Sequence, residues 1–181
     1  MTRRKNWFGT AADILTASRL FIAGVILYLG KTQSSEALTS VSLLCLLGWT
    51  TDTIDGHLAR KSFPSHNSLI GRNDRAVDFI MIFSGWLYLI ASGFLPKGKA
   101  GIYTLGAFLT VLHFRSKLVL TTVEIIPAIA IPITTLKYEP RLGLVWILWA
   151  LSAAVLDHKR VKVRINILLE SRKHIHPKKT I

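Results

Sequence analysis

Four aspartates, Asp52, Asp55, Asp74 and Asp78, stand beside or inside apolar stretches of a 181-residue chain. Asp52 and Asp55 are three positions apart, Asp74 and Asp78 four, and either spacing puts a pair of carboxylates on one face of a helix. At the centre of a membrane helix one aspartate costs roughly 2.5–3.5 kcal/mol, so four of them need a partner that offsets the burial. Close carboxylates also repel one another unless a cation sits among them. Hard divalent cations favour such oxygen donors, and Mg²⁺ is commonly held by a few carboxylates together with phosphate oxygens. The pattern therefore predicts a metal site with one or two divalent cations facing a phosphate. Pairing with Arg60, Arg72 and Arg75 is the plainer alternative, but simple ion pairing does not require two pairs at helical spacing.

Between the two pairs, Gly56 and Ala59 leave a groove where a ligand or another backbone can approach. Small residues three apart are also common packing surfaces. Here they lie between Asp55 and Arg60, whose guanidinium suits a phosphate. Outside this stretch Arg19 interrupts the first apolar segment, and it either contacts an acceptor phosphate or lipid headgroup or snorkels to the interface. Arg115 and Lys117 have the same two readings, anion contact or interface charge. Glu124, two turns into an apolar segment, is a further site candidate or an arginine's partner.

The elements that must position these residues follow from the apolar blocks. Half of the residues are hydrophobic and the formal net charge is +13. The basic residues lie mostly between or beyond the apolar blocks, and neither a zinc-finger spacing nor an RNA-binding signature is present, so a basic membrane protein is expected and not a nucleic-acid partner. Cys45 is the single cysteine, which excludes an internal disulfide and suggests a buried thiol. MTRRK followed by LFIAGVILYL has the charge and apolar order of a signal peptide, but the later apolar segments favour a retained first helix.

Six apolar segments can be marked: 14–30, 37–54, 76–95, 100–114, 118–136 and 142–156. Pro127 and Pro132 fall in the fifth, which is expected to kink where neighbours satisfy the freed carbonyls. If all six cross a membrane, seventeen Lys and Arg fall on the side of the N-terminus and five on the other, with Arg19 inside the first segment. The positive-inside rule then makes both termini and the aspartate stretch cytoplasmic. Asp52 precedes Arg60 by eight residues, about 12 Å along a continuous helix, which suits a cavity open to cytosol and headgroups. From about residue 157 the basic, partly apolar tail is either a segment lying on anionic lipid or a solvated end.

The residues DTIDGHLAR resemble the first half of the signature of the CDP-alcohol phosphatidyltransferases, D-x2-D-G-x2-A-R-x8-G-x3-D-x3-D, and Asp74 and Asp78 match its last pair. Ten residues intervene between Arg60 and Gly71 and two between Gly71 and Asp74, so the glycine's register is displaced from the family pattern. LTASRL at Leu15–Leu20 also looks like the family's first-helix pattern. The resemblance implies an all-α integral membrane bundle of six transmembrane helices forming a single domain over 1–181, with a cytosol-facing metal site.

The resemblance further implies that Asp52, Asp55, Asp74 and Asp78 hold Mg²⁺, as two ions, with Mn²⁺ the other candidate. Asp78 is then also the catalytic base, while Gly56, Ala59, Arg60 and Gly71 receive nucleotide or substrate. Arg19, Arg115 and Lys117 are candidates for the acceptor. The implied reaction passes a phosphatidyl group from a CDP-linked lipid such as CDP-diacylglycerol to a small alcohol and releases CMP. Glycerol 3-phosphate is the first expectation for the acceptor, as in phosphatidylglycerophosphate synthases, with inositol phosphate or serine as alternatives. Membrane lipids and a second copy in a homodimer are the remaining implied partners. A divalent-cation transporter and a non-catalytic membrane protein are the readings from other classes.

Overall fold

Long apolar runs leave the backbone no water to bond with, and a helix satisfies N–H and C=O groups within its own segment. The computed structural model describes residues 2–61, 74–114 and 117–156, and among them are six α-helices and no strand. These are α1 (Thr2–Thr32), α2 (Leu38–Lys61), α3 (Asp74–Ala91), α4 (Lys97–Phe114), α5 (Lys117–Tyr138) and α6 (Pro140–Leu156), with a short 3₁₀ turn, Ser34–Ala37, between α1 and α2. The tail beyond 156 lies outside the described residues.

Among the described residues, three stretches are long and apolar enough to cross a membrane: Asp13–Thr32, Ser34–Ile54 and Val119–Tyr138. A shorter apolar helix runs over Pro140–Val155. Large apolar side chains also point outward, among them Phe21, Ile102, Phe108 and Ile133. An apolar exterior on apolar helices of this length is the mark of a membrane protein. The remaining helices, α3 and α4, are 18 residues each and carry charge in their first turns.

The chain divides after Gly143 into two compact units. In the first, α1 packs along both α2 and α3, α5 packs against α3 and α2, and α4 lies against α3 and α5. Its core contains Ile22, Ile26, Val41, Met81 and Leu89. A second buried cluster joins Phe83 and Trp86 of α3 to Ala100 and Ala107 of α4, with Tyr103 and Val123 beside it. Cys45 is a buried thiol, as expected, beside Gly85 of α3. In the second unit, Trp146 and Trp149 meet edge to face with ring centroids 6.2 Å apart.

Two glycines fix how the helices end and approach. Gly93, at φ +79°, ends α3 in the left-handed conformation, with its N–H on the Ile90 carbonyl. Gly143 stands where a Cβ would come within 2.4 Å of the Leu136 backbone, so the start of α6 can fold back on the end of α5 only without a side chain there.

Several polar groups in the interior pair between elements. Thr135 of α5 donates to Ser42 of α2 at 3.0 Å, and the Trp86 indole donates to Thr104 of α4 at 2.8 Å. The Tyr88 hydroxyl donates to the Ser34 carbonyl at 3.0 Å. α5 contains both prolines within its helix. Pro127 has no N–H to offer the carbonyl four residues back, that of Val123. The Tyr103 hydroxyl of α4 donates to that carbonyl at 2.6 Å, so a neighbouring helix supplies the missing donor. Replacing Tyr103→Phe should destabilise the protein by about 0.6–2 kcal/mol, the range for one such bond between membrane helices. Reversible unfolding in mixed micelles measures the loss, and Pro127→Ala in the same background should recover part of it by restoring a backbone donor.

Candidate active site

Three helices each contribute one charged side chain to a single point. Arg19 comes from α1, Asp52 from α2 and Asp78 from α3. Nη1 of Arg19 donates to Oδ1 of Asp52 at 2.9 Å, and the same nitrogen donates to Oδ1 of Asp78. Nη2 donates to the Thr16 hydroxyl at 3.1 Å, one turn earlier on α1. The guanidinium is thus held by its own helix while it bridges the other two.

Exposure is graded across the cluster. The Arg19 side chain is 1% exposed, Asp78 28% and Asp52 51%. A cation lies at the bottom and the carboxylates rise from it toward the open side, so part of each carboxylate is free to meet a ligand. Desolvating a charge is offset only by close opposite charges and hydrogen bonds, and Arg19 has both. Its planar fork suits two acceptors at once, which an ammonium on a flexible stem does not.

Local sequence explains why the two carboxylates approach. Gly48 precedes Asp52 by one turn, and Met81 follows Asp78 by one turn. A Cβ on Gly48 would fall 2.2 Å from the Met81 methyl, so the missing side chain gives Met81 its room. Val77 and Met81 are buried on either side of Asp78 along α3. Around Asp52, the hydroxyls of Thr50, Thr51 and Thr53 donate to the carbonyls of Leu46, Gly48 and Trp49 at 2.7, 2.8 and 3.0 Å. Each of these bonds is made within α2 itself.

The other expected site residues are placed in part. Asp55, Gly56, Ala59 and Arg60 continue the helical backbone of α2, Asp74 opens α3 and Lys117 opens α5, but their side chains lie outside the described ones. Gly71, Arg72 and Arg115 lie outside the described residues. Arg75, in the first turn of α3, is exposed, and Glu124 of α5 is partly buried. His113 is exposed and stacks edge-on with Phe114 at 4.7 Å.

A divalent cation fits the chemistry of this donor set. Two carboxylate oxygens from different helices already converge on one positively charged nitrogen. Among the described residues no three His, Cys, Asp or Glu side chains gather into a metal-holding group. Asp55 stands one turn beyond Asp52 on α2, and Asp74 one turn before Asp78 on α3, as backbone positions.

Sequence reasoning left Arg19 divided between ligand contact and the interface, and in the structure its side chain turns inward to the carboxylates. The signal for that was present: a lone cation inside an apolar segment needs an anion, and the chain's apolar segments supply few. Nothing in the sequence marks Thr16, because a threonine on an apolar helix has no distinctive spacing.

A membrane-embedded helical protein with carboxylates from two adjacent helices gathered around a cation is the class that fold and site define. The model of the CDP-alcohol phosphatidyltransferase family matches residues 9–170, and the chain belongs to that family. It is therefore an enzyme that transfers a phosphatidyl group from a CDP-alcohol to an acceptor, in phospholipid biosynthesis. No curated protein and no solved structure gives a significant match. Thr16→Val, which keeps the shape of the side chain and removes the acceptor for Arg19, should cost about 0.5–1.5 kcal/mol in unfolding experiments. Thr16→Ser should cost less.

Proposed function

We propose that the chain passes a phosphatidyl group from CDP-diacylglycerol to the hydroxyl of a small alcohol and releases CMP, with glycerol 3-phosphate as the acceptor. The observation that carries this reading is the convergence of Asp52 and Asp78 on one cationic centre, within the motif DTIDGHLAR and its paired aspartates. Asp52, Asp55, Asp74 and Asp78 are the residues to hold Mg²⁺. Bound there, divalent cations supply positive charge to the diphosphate and to the departing CMP.

The chain's own residues do the rest. Asp78, at the rim of the cluster and 28% exposed, accepts the proton of the acceptor hydroxyl as oxygen attacks the phosphorus nearest the lipid. Gly56 and Ala59 leave room for the nucleotide along α2, and Arg60 offers its guanidinium to phosphate. Gly71, between the two aspartate pairs in the sequence, is a further candidate for receiving substrate. Arg115 and Lys117, together with the basic residues of the same side, suit an acceptor that itself carries phosphate, which favours glycerol 3-phosphate over serine. All six helices cross the membrane in this reading, with both termini and the site facing the cytosol, where nucleotide and Mg²⁺ are available.

Purified protein incubated with CDP-diacylglycerol, Mg²⁺ and a panel of alcohols tests the proposal by CMP release and lipid product. Glycerol 3-phosphate should give an alcohol-dependent product, and Asp78→Asn should abolish CMP release while the protein still inserts. A product with inositol phosphate or serine alone would replace the acceptor. Folded protein that releases no CMP with any alcohol would contradict the donor reading, and Mg²⁺ flux into liposomes without nucleotide would replace it with transport.

A further inference from the structure

Arg19 occupies a position that the transfer chemistry does not by itself explain. Its residue is fully buried, it lies on a helix outside the aspartate motif, and it contacts one residue from each aspartate pair. Because Oδ1 of Asp52 and Oδ1 of Asp78 both accept from the same nitrogen, one guanidinium draws carboxylates of α2 and α3 to a common point. Without a positive charge between them, carboxylates on α2 and α3 would repel across the place where those helices approach beside Gly48 and Met81. Thr16 fixes the other end of the fork, so the bridge does not depend on a mobile side chain finding its place.

We infer that Arg19 is the positioning residue of the carboxylate cluster: its guanidinium gathers Asp52 of α2 and Asp78 of α3 and supplies, in the metal-free protein, the positive charge that a divalent cation takes over. The inference rests on the metal reading of the site given above. It gives Arg19 a role distinct from contact with the acceptor. A cation that enters must share or take oxygens from Nη1, so Arg19 stabilises the metal-free bundle at the expense of metal affinity. Linkage makes these one quantity: whatever the variant loses in the metal-free state and regains with metal appears as tighter metal binding.

The experiment uses the full chain in lipid nanodiscs and follows the unfolding midpoint in EDTA and across a Mg²⁺ titration, for wild type, Arg19→Gln and the double variant Arg19→Gln with Asp52→Asn. Arg19→Gln should unfold earlier than wild type in EDTA, the deficit should close at saturating Mg²⁺, and half-saturation should fall roughly fivefold or more. In EDTA the double variant should show a smaller effect of Arg19→Gln, since one of the two repelling carboxylates is gone. A deficit of the same size in EDTA and in Mg²⁺ would overturn the inference, because a packing residue acts regardless of metal. If Arg19→Gln does not fold, Arg19→Lys answers the same question. Its single ammonium does not fork, so its deficit must also close with Mg²⁺, and a deficit indifferent to Mg²⁺ overturns the role. A wild-type midpoint that ignores Mg²⁺, Mn²⁺ and Ca²⁺ would overturn the metal reading itself. A wild type that responds, beside an Arg19→Gln that responds no more strongly, would overturn only the role of Arg19.

Discussion

A charge removed from water must meet an opposite charge, and in this bundle that requirement ties three helices together. Arg19 from α1 meets Asp52 from α2 and Asp78 from α3 at one nitrogen. The attraction in a low-dielectric interior is large, but so is the desolvation it must offset, so the net stability depends on how completely each group is paired. Arg19 is nearly sealed while the carboxylates remain partly open. The same pairing that closes the core therefore leaves acidic oxygens at its mouth, and structure and chemistry share one cluster.

The surrounding helices obey the same rule with neutral groups. α1 packs along both helices that bear the aspartates, which is how one arginine reaches both. Gly48 opens space for Met81 a turn away from the carboxylates, and Gly85 does likewise beside Cys45 and Ile131. Hydroxyls of Thr135, Tyr88 and Tyr103 cross between elements to pair polar atoms that the apolar sequence strands. Tyr103 shows the logic most directly, since its partner carbonyl is the one that Pro127 cannot serve.

Much of this was legible in the sequence, for identifiable reasons. Apolar blocks bounded by charge and turn residues mark the helices, and i,i+3 and i,i+4 spacings mark the aspartate faces, because both depend only on helical geometry. DTIDGHLAR marks the family, which the match over residues 9–170 shows. Pairing between distant positions was not legible. Nothing local tells that Arg19 turns inward, that Tyr103 serves Val123, or that Ser42 meets Thr135, because each depends on how helices far apart in sequence pack. Arg19 was at least conspicuous as a cation in an apolar segment. Tyr103 and Ser42 carry no such mark.

The central claim is that Asp52 of α2 and Asp78 of α3 bound one site for a divalent cation at which the CDP-lipid reacts. Anomalous diffraction from crystals of the full chain grown with Mn²⁺ and CMP locates the metal directly. The account predicts an anomalous peak in contact with carboxylate oxygens of both Asp52 and Asp78, at about the 2.0–2.6 Å of hard cation–oxygen bonds, with CMP phosphate on its open side. A structure with CMP bound but no Mn²⁺ touching either carboxylate would contradict it.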